Sequence, residues 1–146
     1  MTDIWSAVGA LLLGGIGWFV TSFVGRPIRQ FFDLRGEVIH RAVLYDNVTA
    51  AMRQSPDGSV EPLEISEDER NRLREAQNAF RDLAARMRAF ALNERFAVRV
   101  VESLGYDPME ASAAVLGVSN TLYKYGSDRT AKKEALETVL RFRASI

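Results

Sequence analysis

A chain of 146 residues with 19 basic and 19 acidic side chains has no net charge, which argues against a broadly basic nucleic-acid binder. It holds no cysteine and one histidine, His40, so disulfides, thiol chemistry and a His/Cys zinc site within one chain are excluded. All the charge except Asp3 lies after Gly25, which divides the chain into an apolar head and a remainder of about 120 residues, enough for one small domain.

The uncharged run from Ile4 to Gly25 has the length that a hydrocarbon core about 30 Å thick demands of a helix, roughly 20 residues. No Lys or Arg precedes it and no small-residue cleavage site follows it, so it reads as retained rather than as a removed secretory leader. Arg26, Arg29, Arg35 and Arg41 stand beyond its far end. An excess of Arg on one flank marks the cytoplasmic side, so the N-terminus is expected outside and the C-terminal domain in the cytoplasm, at the cell's inner membrane. Trp5 is expected at the outer interface, with Phe31 and Phe32 against the inner one. Within the run, Ser6, Ala10, Gly14, Gly17 and Thr21 are spaced by three and four and form a stripe of small side chains. In lipid, where the hydrophobic effect gives helices little reason to associate, such a stripe favours close packing and a homo-oligomer.

Pro27 is placed to open or kink a helix. Phe31, Leu34, Val38, Ala42, Tyr45, Val48 and Met52 then recur at intervals of three and four, which predicts a second helix with one packing face. Between about 53 and 65, Ser55, Pro56, Asp57, Gly58 and Pro62 predict a loop. Ser66 and Glu69 form a capping-box pair, and a long third helix is predicted to follow with Leu73, Ala76, Phe80, Leu83, Met87 and Phe90 as its apolar seam. The pattern blurs near Asn93 and resumes through Phe96, Val100 and Leu104 to a stop at Gly105. Asp107, Pro108 and Glu110 are the residue types favoured at the cap, first and third positions of a helix predicted to reach Tyr125. Gly126 is a left-handed stop in this reading, and Ser127 or Thr130 caps a last helix carrying Ala135, Leu136, Val139, Leu140 and Phe142. No segment alternates as a strand. The expected architecture is all-α: one N-terminal transmembrane helix in residues 1–26, followed by a small cytoplasmic helical bundle in residues 27–146.

Motifs for chemistry are sparse. There is no Gly-rich phosphate loop and no serine-nucleophile elbow, no cofactor is implied, and the acids Glu61, Glu64, Glu67, Asp68 and Glu69 fit a solvated loop and a helix start. Arg35-Gly36-Glu37-Val38-Ile39-His40 is an Arg followed by four residues and a His, and it resembles the short motif of HEPN ribonucleases. The resemblance covers six residues and implies an all-α domain that dimerises to cleave RNA without a metal, with some members of that group acting in defence. It would make Arg35 and His40 catalytic. Gly36 departs from the polar residue that commonly follows the arginine. Positions five apart on a regular helix differ by about 140° in direction, so a shared phosphate requires a broken helix or a second subunit. Arg74, Arg81 and Arg88 lack an acid four residues before them, unlike Arg72 and Arg86, and form a stripe at heptad spacing suited to anionic lipid, RNA phosphate or acids on another subunit. With Arg26 and Arg29 they are the candidate anionic contacts, and a solvated flank is the simpler account of the stripe. The reading favoured by the stripe and seams is a single-pass, membrane-anchored oligomeric scaffold. The alternatives are a pore or membrane-perturbing effector and a HEPN-like RNA-directed protein.

Overall fold

The computed structural model describes residues 2–48, 50–54 and 59–142 and is all-α, with six helices. The first helix, α1 (Thr2–Val20), passes through a π-helical turn (Thr21–Gly25) directly into α2 (Arg26–Leu44). Pro27 explains the widened turn. It has no N–H to give the carbonyl four residues back, and its ring crowds that carbonyl, so the ladder loosens by one residue and the Arg26 N–H bonds to the Thr21 carbonyl five back. The expected kink is thus absorbed within a continuous helical path.

Phe31, Leu34 and Val38 bury one face of α2. The helix ends at Leu44, short of the predicted Met52, where Asp46 and Asn47 favour a turn over further helix, yet Tyr45 and Val48 remain in the core because the turn folds over it. Phe31 is fully buried rather than at an interface, and Phe32 is 36% exposed. Of the loop predicted at about 53–65, Ser55, Pro56, Asp57 and Gly58 lie outside the described residues, and the flanking residues, with Met52, form two three-residue strands, β1 (Met52–Gln54) and β2 (Val60–Pro62), paired antiparallel with Met52 opposite Pro62 and Gln54 opposite Val60. A parallel partner, β3 (Lys124–Tyr125), joins the other side of β1 and gives the order β2-β1-β3. Pro62 sits on an edge strand, where a missing donor is tolerated. Strands this short show no period, which is why sequence pattern misses them.

The capping box holds: the Glu69 N–H donates to Ser66 Oγ, and the Ser66 N–H donates to the Glu69 carboxylate. It opens α3 (Glu67–Asn93), whose predicted seam is buried in full within the chain. Glu94 breaks the path, and α4 (Arg95–Ser103) follows. Gly105 ends it with φ +84°, as predicted. The Asp107 carboxylate accepts from the N–H groups of Met109 and Glu110 and opens α5 (Pro108–Thr121), which stops short of Tyr125 because Lys124 and Tyr125 belong to β3. The last helix, α6 (Ser127–Leu140), takes Gly126 as its N-cap, and neither Ser127 nor Thr130 caps it. Gly126 therefore opens this helix, with φ 154°, instead of closing the one before.

α3 is the central element, packed against α2 and α5, and α6 packs on α5 while reaching α2 through Arg35 and the turn after α2 through Lys133. Ser112 Oγ donates to the Ala84 carbonyl at 2.8 Å and Ser119 Oγ to that of Gln77 at 3.0 Å, so two buried hydroxyls seven residues apart tie α5 antiparallel to α3. α4 departs from its predicted face. Ala97 and Val101 are buried, whereas Phe96 is 58% and Leu104 50% exposed. The buried stripe lies one position away from the bulky one, and it carries the smaller side chains where α4 meets α2, α3 and α5.

Candidate functional site

Exposed apolar surface in this molecule is concentrated on α1. Leu11, Leu12, Leu13, Ile16, Trp18, Phe19 and Val20 are all at least half exposed, the leucines at positions 11 and 13 by 78% and 74%. Monomeric soluble domains rarely leave an apolar patch this continuous exposed to water. Gly14 and Gly17 have open space where a Cβ would stand, so the small-residue stripe faces outward; the side chains of Ser6 and Ala10, and that of Trp5, lie outside the described residues. Thr21 ends the stripe by donating its hydroxyl to the Gly17 carbonyl at 2.8 Å, which satisfies it within its own helix. Among the described residues no helix is long and apolar enough to cross a membrane. α1 spans roughly 28 Å at 1.5 Å per residue, and the uncharged run from Ile4 to Gly25 is divided between it and the π turn.

The four arginines after the run separate into two pairs. Arg26 and Arg29 are exposed at the head of α2, with Arg29 loosely paired to Asp33 at 3.9 Å. Arg35 and Arg41 belong to the bundle. Arg35 Nε donates to the Leu140 carbonyl at 2.8 Å and its Nη2 to that of Arg141 at 3.1 Å, so this guanidinium caps the negative end of α6. The same group lies 5.6 Å from the centre of the Tyr106 ring, and Arg141 covers that ring at 5.1 Å. Arg41 turns toward the Tyr45 hydroxyl, which donates to Glu75.

His40 is exposed on the same unbroken helix as Arg35, so the two diverge as their spacing requires, and Arg35 is already committed to α6. Arg74, Arg81 and Arg88 are exposed along α3 without an ion-pair partner among the described residues. The outer two are roughly 21 Å apart along the helix axis, too far for one small ligand to reach both. Arg86 pairs with Asp82 at 3.6 Å as its spacing predicts, and also with Glu37 of α2 at 2.9 Å. Arg72 turns to Asn47 rather than Asp68. No group of three His, Cys, Asp or Glu side chains among the described residues is arranged for a metal ion.

Sequence reasoning passed over the corner between α3 and α4. Leu92 and Phe96 are each 58% exposed there, beside exposed Arg95 and Arg99. The available signal was the arginine spacing of four across a helix whose smaller residues, Ala97 and Val101, share the opposite face. Against known protein families, curated proteins and solved structures, the chain has no match.

Proposed function

We propose that this protein is a membrane-anchored oligomeric scaffold, in which α1 and the π turn together occupy the bilayer of the cell's inner membrane and the bundle is held on its cytoplasmic face. The observation that carries this reading is the exposed apolar surface of α1, ending where Arg26 and Arg29 begin. Leu, Ile, Phe and Trp side chains in that number are costly to leave in water and favourable in lipid. The two unburied arginines suit anionic headgroups on the inner leaflet. The open Gly14 and Gly17 positions supply a surface on which anchors from separate chains pack closely.

Alkaline carbonate washing of membranes from expressing cells tests the anchor. The full chain is expected to stay with the bilayer, and release into the wash would overturn the reading. Protease added to intact cells is expected to leave the bundle uncut. Replacing Gly14 and Gly17 together with Leu is expected to lower the subunit number, measured by intact mass in lipid nanodiscs, while the helical circular dichroism stays unchanged. An unaltered oligomer would remove the stripe from the assembly.

A further inference from the structure

The direction of α3 fixes which end of the bundle faces the anchor. Tyr45 meets Glu75, Glu37 meets Arg86, and the Phe31 and Phe90 rings lie 5.7 Å apart, so α3 runs antiparallel to α2. Three more residues in each direction bring Asn93 level with Ile28, just past the π turn. The α3–α4 corner therefore lies at the end from which α1 departs. The opposite end is marked by Arg129 of α6, which donates to the Val48 carbonyl beyond the end of α2.

That corner has the composition of an interfacial membrane contact. Leu92 and Phe96 project from it, and Arg95 and Arg99 stand one turn apart with no ion-pair partner among the described residues. Arg88 lies one turn before Leu92, and Arg26 and Arg29 lie at the same level on α2. The neighbouring acids are Glu94, which is half-buried, exposed Glu102, Asp107, whose carboxylate accepts from the first N–H groups of α5, and Asp33, which is opposite Arg29. Basic side chains outnumber them, and the sign suits anionic phospholipid.

We infer that the α3–α4 corner is a second membrane contact, which seats the bundle on anionic phospholipid headgroups with Leu92 and Phe96 entering the acyl boundary and Arg95 and Arg99 holding phosphate. This rests on the reading of α1 as lipid-embedded. The anchor keeps the corner beside the bilayer, so docking is intramolecular and a weak surface is sufficient. Guanidinium groups bind phosphate in two-pronged fashion, and neighbouring apolar side chains fix the depth.

The absence of cysteine allows single labels in the full chain. Nitroxides placed by Leu92→Cys, Phe96→Cys, Leu13→Cys and Ser127→Cys, one at a time, report contact with dissolved oxygen in lipid or with a water-soluble nickel complex. The chain is reconstituted in vesicles of phosphatidylcholine alone or mixed with phosphatidylglycerol. With phosphatidylglycerol, the labels at 92 and 96 are expected to lose nickel contact and gain oxygen contact, the label at 13 to be immersed in both lipids, and that at 127 to stay in water. Combining Arg95→Glu with Arg99→Glu is expected to return the label at 96 to water without moving the one at 13. High salt is expected to do the same to the otherwise unaltered chain.

Labels at 92 and 96 that stay in water beside phosphatidylglycerol, while 13 is immersed, overturn the corner and leave the anchor standing. Equal immersion in both lipids overturns the requirement for anionic headgroups. Spin–spin broadening at 96 that vanishes on dilution with unlabelled chain assigns the corner to a second copy instead. A label at 13 that remains in water overturns the anchor itself.

Discussion

Tyr106 is held on several sides by groups far apart in the chain. Phe31 and Phe32 meet its ring at 5.6 and 5.7 Å, and the guanidinium groups of Arg35 and Arg141 lie over it. Arg35 also closes α6 by donating to two of its last carbonyls. Hydrogen bonds from charged donors are worth about 1.5–3 kcal/mol each when well shielded, and these are partly exposed. Arg35→Ala is therefore expected to lose about 1–3 kcal/mol in urea unfolding, with Arg35→Lys intermediate because an ammonium lacks the planar fork. Gly105 precedes Tyr106 with φ +84°, and Arg141 packs where its Cβ would be. The flexible Arg141 side chain can move aside, so backbone strain sets the cost of Gly105→Ala, about 1–2 kcal/mol in the same measurement. The stop at Gly105 was legible because a glycine after an apolar helical pattern has few other uses. The work of Arg35 was not, since its partners are 105 and 106 residues away and nothing local to the motif announces them.

Helices with a strong local grammar came through the sequence intact. Ser66 with Glu69, Asp107 with Pro108, and the α3 seam are each specified within a few residues, so short-range chemistry suffices to read them. β1, β2 and β3 are specified by one another across about 70 residues, and the hydroxyls of Ser112 and Ser119 by carbonyls of a different helix. α4 shows the same limit in another form. Its bulkiest apolar residues outline a helical stripe, but the space beside α2, α3 and α5 admits only the smaller stripe next to it. Opposite responses follow from this. Ala97→Leu forces extra volume into a closed contact and is expected to lower stability by about 1–3 kcal/mol. Phe96→Ala, by contrast, is expected to change it by no more than about 0.5 kcal/mol. Thermal unfolding of the two variants checks the assignment, and the reverse order would mean that α4 is turned the other way.

Phe31 joins parts that are far apart in the chain. Its ring, fully buried, meets Phe90 at the end of α3 and Tyr106 in the link between α4 and α5, so the start of α2 is fastened to both. Phe31→Ala is expected to cost about 3–5 kcal/mol, and chemical denaturation that exposes the α2–α3–α4 contact as one cooperative unit checks it. The division between an apolar head and a charged bundle was visible from composition alone, because charge is simply absent before Arg26 except at Asp3. What lies between the two was not visible. No flexible tether intervenes: the path from Val20 to Arg26 stays helical through its loosened turn. A shaft of that kind transmits torque. Turning α1 about its long axis therefore swings the attached bundle through the same angle, and side chains far from that axis travel farther than those on the helix itself.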